Sequence, residues 1–305
     1  MKGCTQGRVL ITGAAGMLGS QLLLDVPEGW EAVGTDLATA NAEGGPEFPA
    51  GGVDLADSAA VQKLFDDFGP IVGVIHGAAY TAVDAAEENE ELAMKVNATA
   101  TRVVAAACAE RGIPCVMVST DFVFDGTKQS PYTETDVPCP ISVYGKTKLA
   151  GEIAAREAHP NGVRIVRTAW LYGPRGNNFP RTILKLARER GALSVVDDQR
   201  GSPTSTLELS PALWDVLMLG EAGVYHASCD GQATWFGFAE AAISLAGVEN
   251  VELEPCGTEA FPRPAPRPAN SVLACDRLTE LRGKTLAPWR RALGQYLVDA
   301  GQDPA

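Results

Sequence analysis

Tyr144 and Lys148 stand four residues apart in the run Tyr144-Gly-Lys-Thr-Lys148, on a stretch whose pattern predicts a helix. Residues at i and i+4 share one helix face, so the Lys148 ammonium is placed beside the Tyr144 phenol. A free tyrosine titrates near pH ~10, too high for ready proton transfer at neutrality. A neighbouring cation favours the phenolate and is expected to lower that value, which suits acid–base work on a carbonyl/alcohol pair. The same spacing occurs by chance in many helices, so the pair takes its meaning from the elements that position it.

The first of these is Arg8-Val-Leu-Ile-Thr12, an apolar run too short for a helix that reads as a buried strand. Gly13-Ala-Ala-Gly16-Met-Leu-Gly19 follows at once, and a helical apolar pattern then runs from Gln21 to Val26. Strand, glycine turn and helix in that order are the context of a dinucleotide-binding fingerprint, here spaced G-x-x-G-x-x-G. Gly13 would permit the tight turn, Gly16 the approach of backbone to a pyrophosphate, and Gly19 close packing of helix on sheet. Amides at the helix N-terminus would bind the phosphates. The next strand, Glu31 to Thr35, ends in Asp36. A carboxylate there accepts from a ribose 2′-hydroxyl and repels a 2′-phosphate. No arginine follows it directly, so the sequence leans towards NADH over NADPH.

Composition narrows the partners. The 305-residue chain has a formal net charge of −13 and a sequence pI near 4.7, which argues against nucleic acid or an anionic membrane. An anionic ligand must then rely on local amides and a few placed arginines. There is no 18-residue apolar run, and the first strand starts within ten residues of Met1, so neither a membrane span nor a signal peptide is expected. Seven cysteines (4, 108, 115, 139, 229, 256 and 275) form no C-x-x-C pair, which suggests reduced thiols in a cytoplasm. The three histidines, at 76, 159 and 226, join no cysteine cluster, and no metal site is assigned. His76 closes an apolar run and reads as a packed or cofactor-wall residue.

Further along, strands and helices alternate. Ile71 to Ile75, Cys115 to Ser119 and Val163 to Arg167 read as strands. Glu87 to Arg111 reads as one long helix, with four glutamates in positions 87–91 favouring its dipole. The fold class is therefore α/β, a Rossmann-type doubly wound parallel sheet, with ligands beyond the carboxyl ends of the strands. The informative segments lie at those ends: the glycine turn, Asp36, His76 to Thr81, and Ser119-Thr-Asp121. Past Trp170 the pattern changes. Asn177 to Arg190 and Thr206 to Leu219 look helical, while Gly223 to Ser228 reads as a strand returning to the sheet. The expected domains are residues 1–168 with 223–230, and a smaller discontinuous substrate domain of 169–222 with 231–305. Phe261 to Pro268 alternates proline and reads as a stiff extended linker, with arginines able to meet a phosphate as the alternative. The last five residues read as frayed.

Several segments are more specific than the glycine turn. They are Ala78-Ala-Tyr-Thr-Ala-Val-Asp84, Val96-Asn97, Ser119-Thr-Asp-Phe-Val-Phe-Asp-Gly126, Tyr144-Gly-Lys-Thr-Lys-Leu-Ala-Gly-Glu152, Arg167-Thr-Ala-Trp-Leu-Tyr-Gly173, Gly176-Asn-Asn-Phe179, Asp198-Gln-Arg-Gly-Ser-Pro-Thr204 and Arg267-Pro268. Through these the chain resembles the extended short-chain dehydrogenases/reductases, and among them the dTDP-4-dehydrorhamnose reductase family, over nearly its whole length. Phe122 departs from the tyrosine usual in that family.

The resemblance implies NADH- or NADPH-dependent reduction of the C4 ketone of a dTDP-linked 4-keto-6-deoxyhexose. It implies Tyr144 as proton donor, Lys148 as the lysine that lowers its pKa and binds ribose, and Thr120 as the hydroxyl polarising the substrate. Thr81, Val83, Asp121 and Trp170 match positions around the sugar. Gly13, Gly16, Met17, Leu18, Gly19, Asp36, Asp54, Leu55, Ala78, Ala79 and Tyr80 match the cofactor site, and Asn97 a residue shaping the catalytic region. Sister dehydratases carry an Asp-Glu pair after the threonine; Asp121-Phe122 lacks the glutamate. A 4-epimerase, another keto-sugar reductase, or a non-catalytic regulatory subunit remain alternatives on the same fold. The resemblance also admits a homodimer and a magnesium ion, for which no residues are assigned.

Overall fold

The structure, a computed structural model, describes residues 6–39 and 45–301. Strand β1 (Gly7–Thr12) leads through α1 (Met17–Leu24), β2 (Trp30–Thr35) and α2 (Ser58–Asp67) to β3 (Ile71–His76). Helices α3 (Val83–Ala86), α4 (Glu90–Met94) and α5 (Ala100–Arg111) precede β4 (Cys115–Thr120), α6 (Val143–Ala158) and β5 (Val163–Thr168). The second half holds β6 (Leu171–Tyr172), α7 (Phe179–Arg190), β7 (Ala192–Val196), β8 (Arg200–Gly201), β9 (Thr204–Ser205) and α8 (Thr206–Leu219). After these come β10 (Gly223–His226), β11 (Ala233–Thr234), α9 (Trp235–Leu245), β12 (Glu252–Cys256), α10 (Asp276–Arg282) and α11 (Trp289–Asp299).

Six strands form one parallel sheet in the order β10-β5-β4-β3-β1-β2. The period-2 alternation of a strand decides which helices cover which face. Leu10, Val74, Met117 and Ile165 pack with Val61, Leu64 and Val104, under α2, α5 and α6. Val9, Ile11, Ile75, Val116 and Val166 pack with Leu18, Leu22, Leu213, Trp214 and Leu217, under α1 and α8. This is the doubly wound α/β arrangement. The chain adds strands in opposite directions from β1, so β1 and β3 flank the switch point where such sheets open a crevice.

A third core gathers Tyr172, Leu184, Phe238, Trp289, Leu293 and Tyr296 from β6, α7, α9 and α11, beside the parallel pair β7–β12. One part of the expected division differs. Helix α8 falls in the segment 169–222 assigned to the smaller unit, yet Leu209, Leu213, Trp214 and Leu217 cover the sheet. Chain order did not reveal this, because an apolar helix face does not name its partner.

The helix expected over Glu87 to Arg111 also differs. It starts at Glu90, and a five-residue π segment, Lys95–Thr99, joins α4 to α5. The wide turn coincides with Asn97, whose amide takes both polar groups of the Tyr80 backbone: Oδ1 accepts from Tyr80 N (2.8 Å) and Nδ2 donates to Tyr80 O (3.2 Å). Nδ2 also donates to Thr147 Oγ1 on α6 (3.0 Å). Single π turns of this kind gather at functional sites. The start of α6 is fixed by Ser142, which accepts from Gly145 N, and by Glu87, which accepts from Val143 N. Of the five terminal residues expected to fray, all but Gly301 lie outside the described residues.

A buried ion pair locks α6 to the sheet. Arg167 on β5 donates to both oxygens of Glu152 on α6 (2.9 and 2.7 Å), and Ser119 on β4 donates to Glu152 Oε1 (2.6 Å). The side chains of Arg167 and Glu152 are 2% and 0% exposed, so removing one strands an uncompensated charge. Arg167→Met is expected to lower the unfolding free energy by about 3–5 kcal/mol, read by urea denaturation. Adding Glu152→Leu should restore much of the loss; no recovery in the double variant would show that the pair is not what Arg167 supplies.

Candidate active site

The carboxyl ends of β1 and β3 frame a glycine cradle. Gly13 adopts φ +73°, and a Cβ there would press on the backbone of Ala78. A Cβ on Gly19 would overlap the Gly13 carbonyl. The turn thus has room only for backbone, and α1 opens from Gly16 without any side-chain cap. Its free amides suit a pyrophosphate. Met17 is the half-exposed first residue of α1, while the Leu18 side chain lies in the core.

Asp36 ties this turn to β2. Its Oδ2 accepts from Ala15 N (2.9 Å) and its Oδ1 from Ala38 N (3.0 Å). A carboxylate has about four acceptor positions, so these bonds leave capacity for a ribose hydroxyl. Asp54 is held below the usual carboxylate range by its bond to Lys95 (2.7 Å) and by the Ala56 amide (2.9 Å). Leu55 beside it is buried in the core, so only its backbone can face a ligand. Ala78 N donates to Thr12 Oγ1 (3.2 Å), and Ala79 and Tyr80 continue half-buried along the crevice.

Thr120, Tyr144 and Lys148 meet at the end of β4. Thr120 caps the short turn Asp121–Val123: Oγ1 accepts from Phe122 N (3.2 Å) and contacts Asp121 Oδ1 (3.0 Å). The Tyr144 phenol faces the Thr120 hydroxyl, and the Phe122 ring meets its ring edge-on at 5.6 Å. Lys148 Nζ donates to the Val118 carbonyl (2.8 Å).

The expected lowering of the Tyr144 pKa by Lys148 is not what this arrangement produces. Burial pushes the phenol up to about 12; the Thr120 hydrogen bond opposes the rise and the Asp121 charge adds to it. Burial also brings the Lys148 ammonium down to about 8, opposed by Glu152. Its charge is directed at a backbone carbonyl, and desolvation dominates for both groups. Tyr144 is therefore a proton holder.

Val83 and Tyr80 pack with Tyr144, Phe122 and Val143 in one small apolar cluster, which brings them to the same centre. Thr81 is exposed at its rim. Trp170 lies apart from that cluster. It follows Thr168, the register partner of Thr120, in a left-handed conformation (φ +47°) that is an outlier for a bulky residue. One indole face stacks on Trp235 at 3.6 Å, and its edge lies on Gly201, where any side chain would collide. The proline-rich segment is tied down as well: Arg267 grips Asp84, next to Val83, through two bonds of 2.7 and 2.9 Å.

Two residues around these groups carried no sequence signal. Ser271 faces the Asp121 carboxyl from 150 positions downstream, a distance no local pattern spans. Trp235 backs Trp170 from the start of α9. His76 is packed between Thr12 Oγ1 (2.8 Å) and Thr101 Oγ1 (3.0 Å). Among the described residues, no group of three or more His, Cys, Asp or Glu is arranged to hold a metal ion.

A family model described as the RmlD substrate binding domain matches residues 7–301. The chain belongs to the RmlD family. A Burkholderia thailandensis relative named dTDP-4-dehydrorhamnose reductase is 39% identical, over 96% of this chain and 98% of its own. A Streptomyces niveus relative named dTDP-4-keto-6-deoxy-D-glucose reductase is 36% identical, over 94% and 96%. Among solved structures, a Bacillus anthracis dTDP-4-dehydrorhamnose reductase in complex with NADP superposes with a TM-score of 0.87, at 36% identity over 96% of this chain and 99% of that one.

Burial in this RmlD-family chain has a measurable consequence. Burial first, then the Lys148 charge, brings His76 down to about 3; burial first, then the Arg167 charge, does the same to His226. The unfolded chain protonates both near ~6.5, so their stability contribution is complete above that pH and is lost as pH falls towards 3. Asp121, raised to about 6 by burial, acts oppositely between 6 and its unfolded value of ~3.9. The net expectation is a loss of stability as pH falls from about 6 to 4, on the order of 1 kcal/mol per pH unit, measured by urea unfolding. Stability that rises on acidification in that window would contradict it.

Proposed function

We propose that this chain reduces the C4 ketone of a dTDP-linked 4-keto-6-deoxyhexose, using a nicotinamide dinucleotide held on the glycine cradle. The observation that carries the reading is the buried phenol of Tyr144 facing the Thr120 hydroxyl, on the same sheet edge as that cradle. When bound, a reduced nicotinamide supplies the hydride that such a reduction needs. Tyr144 supplies the proton. With its pKa pushed up to about 12, it stays protonated at neutrality and is still a stronger acid than the alkoxide it must quench. Thr120 is assigned the second hydrogen bond to that oxygen. Lys148 is assigned to the ribose, and Thr81, Val83, Asp121 and Trp170 to the sugar. Gly13, Gly16, Met17, Leu18, Gly19, Asp54, Leu55, Ala78, Ala79 and Tyr80 are assigned to the cofactor. Elimination of water is disfavoured, because the position after Asp121 holds Phe122, whose ring sits against Tyr144.

We further assign Asp36 a preference for NADH, since its carboxylate stands where a 2′-phosphate would arrive and the next residues, Leu37-Ala-Thr39, bring no cation. A cytoplasmic location accords with six described cysteines that form no disulfide. No helix among the described residues is long and apolar enough to cross a membrane.

Cofactor oxidation followed at 340 nm with dTDP-4-keto-6-deoxy-L-lyxo-hexose tests the reaction. Tyr144→Phe should lower kcat by roughly 10²–10⁴, the span of general acid catalysis. Undiminished turnover in that variant would remove Tyr144 from its role. Asp36→Ala should shift the NADH:NADPH ratio of kcat/KM towards NADPH by about tenfold, ~1.4 kcal/mol. An unchanged ratio would place cofactor choice elsewhere. Running the corresponding D-xylo 4-keto-6-deoxyhexose in parallel decides between the two sugar series named for the relatives.

A further inference from the structure

A hydroxyl has one proton and two acceptor positions, and Thr120 has polar neighbours on three sides. Phe122 N donates to its Oγ1 at 3.2 Å, Asp121 Oδ1 lies at 3.0 Å, and the Tyr144 phenol faces it. If Asp121 is a carboxylate it has no proton to give, so the single Thr120 proton must go to Oδ1. The Thr120 oxygen then accepts from Phe122 N. In that state the Thr120 hydroxyl has no proton directed at a ligand.

The other protonation state reverses the chain. A carboxylic acid at Asp121 donates to Thr120 Oγ1, Phe122 N fills its second acceptor position, and the Thr120 proton is released. We propose that Asp121 works as a carboxylic acid, donating to Thr120 and so leaving the Thr120 proton directed at the substrate carbonyl oxygen. This rests on the reductase reading above. It makes Asp121 a positioning residue that sets the polarity of the hydrogen-bond chain, apart from any contact with the sugar.

The surroundings favour the acid. Asp121 is 2% exposed, and its Oδ2 is buried without a hydrogen-bond partner. A bare carboxylate oxygen is costly in such a place, and a protonated carboxyl is the usual escape. The groups facing it are Thr120 from its own strand, Ser271 from the segment before α10, and Tyr144 from α6. The Lys148 ammonium on α6 is turned to the Val118 carbonyl, and no ion pair among the described residues includes Asp121. Burial raises its pKa to about 6, and the neighbouring Ser271 and Thr120 hydroxyls oppose the rise.

Two measurements test this. Infrared titration of the ligand-free protein, wild type minus Asp121→Asn, should show a protonated-carboxyl stretch at pH 5 that disappears on raising the pH to 8. If no such band is assignable to Asp121 at pH 5, the proposal is overturned, whether or not turnover has been found. The second is the single-turnover rate of NADH oxidation against pH. Wild type should show a limb falling towards tenfold per pH unit above the Asp121 midpoint. Asparagine donates through its amide at every pH, so Asp121→Asn should lose that limb, and Thr120→Val should lose it as well. A limb that persists in Asp121→Asn, or a rate equally depressed at every pH in that variant, overturns the proposal. Failure of wild type to oxidise either NADH or NADPH at any pH would instead defeat the reductase reading and leave the infrared titration to decide the proton's place.

Discussion

Everything at the catalytic edge depends on one buried ion pair. Tyr144, Lys148 and Glu152 recur at four-residue intervals on one face of α6, so the position of any one sets the others. Glu152 is held by both arms of Arg167 on β5 and by Ser119 on β4. Ser119 directly precedes Thr120. A single carboxylate therefore touches the helix of the phenol and the strand of the hydroxyl that faces it. Fully buried pairs are weak contributors to net stability and strong determinants of geometry once formed. Here the geometry they determine is the registry of α6 against the sheet.

Dehydration is the second common cause. The same burial that raises the Tyr144 phenol and the Asp121 carboxyl lowers the Lys148 ammonium. All three shifts favour the neutral form, as expected where charge has little solvent to face. A site of this kind keeps its protons in place until a ligand rearranges the hydrogen bonds, which suits a donor more than a base. The arrangement explains why the lysine four residues from the tyrosine does not behave as spacing alone suggests: the Val118 carbonyl takes its ammonium.

The sheet and its glycine turn were legible because their causes are local. A short apolar run, a glycine cluster and a helical period each state their structure within about ten residues. Tyr144 and Lys148 stood out in the same way, from one compact segment, whereas Thr120 was singled out only through the family resemblance. What escaped depends on contacts across long stretches of chain. The π turn at Asn97 follows from hydrogen bonds to Tyr80 and Thr147, neither visible in the helix's own residues. Ser271 and Trp235 reach the site from the second half of the chain, and α8 chose the sheet over its sequence neighbours for the sake of Trp214 and Leu217.

That last choice bears on how the molecule comes into being. During synthesis the chain emerges from its N-terminus, and domains fold as enough of them becomes available. Strands β1, β3, β4 and β5 are complete by Thr168, yet the face formed by Val9, Ile11, Ile75 and Val116 awaits a cover from Leu209 to Leu217. The sixth strand, β10, follows later still. A nascent chain halted between these points displays half a core to the medium, with an unpaired β5 edge beside it. Such surfaces are where chains of this size meet chaperones or aggregate, so the interval between Thr168 and His226 is the vulnerable passage in this protein's biogenesis.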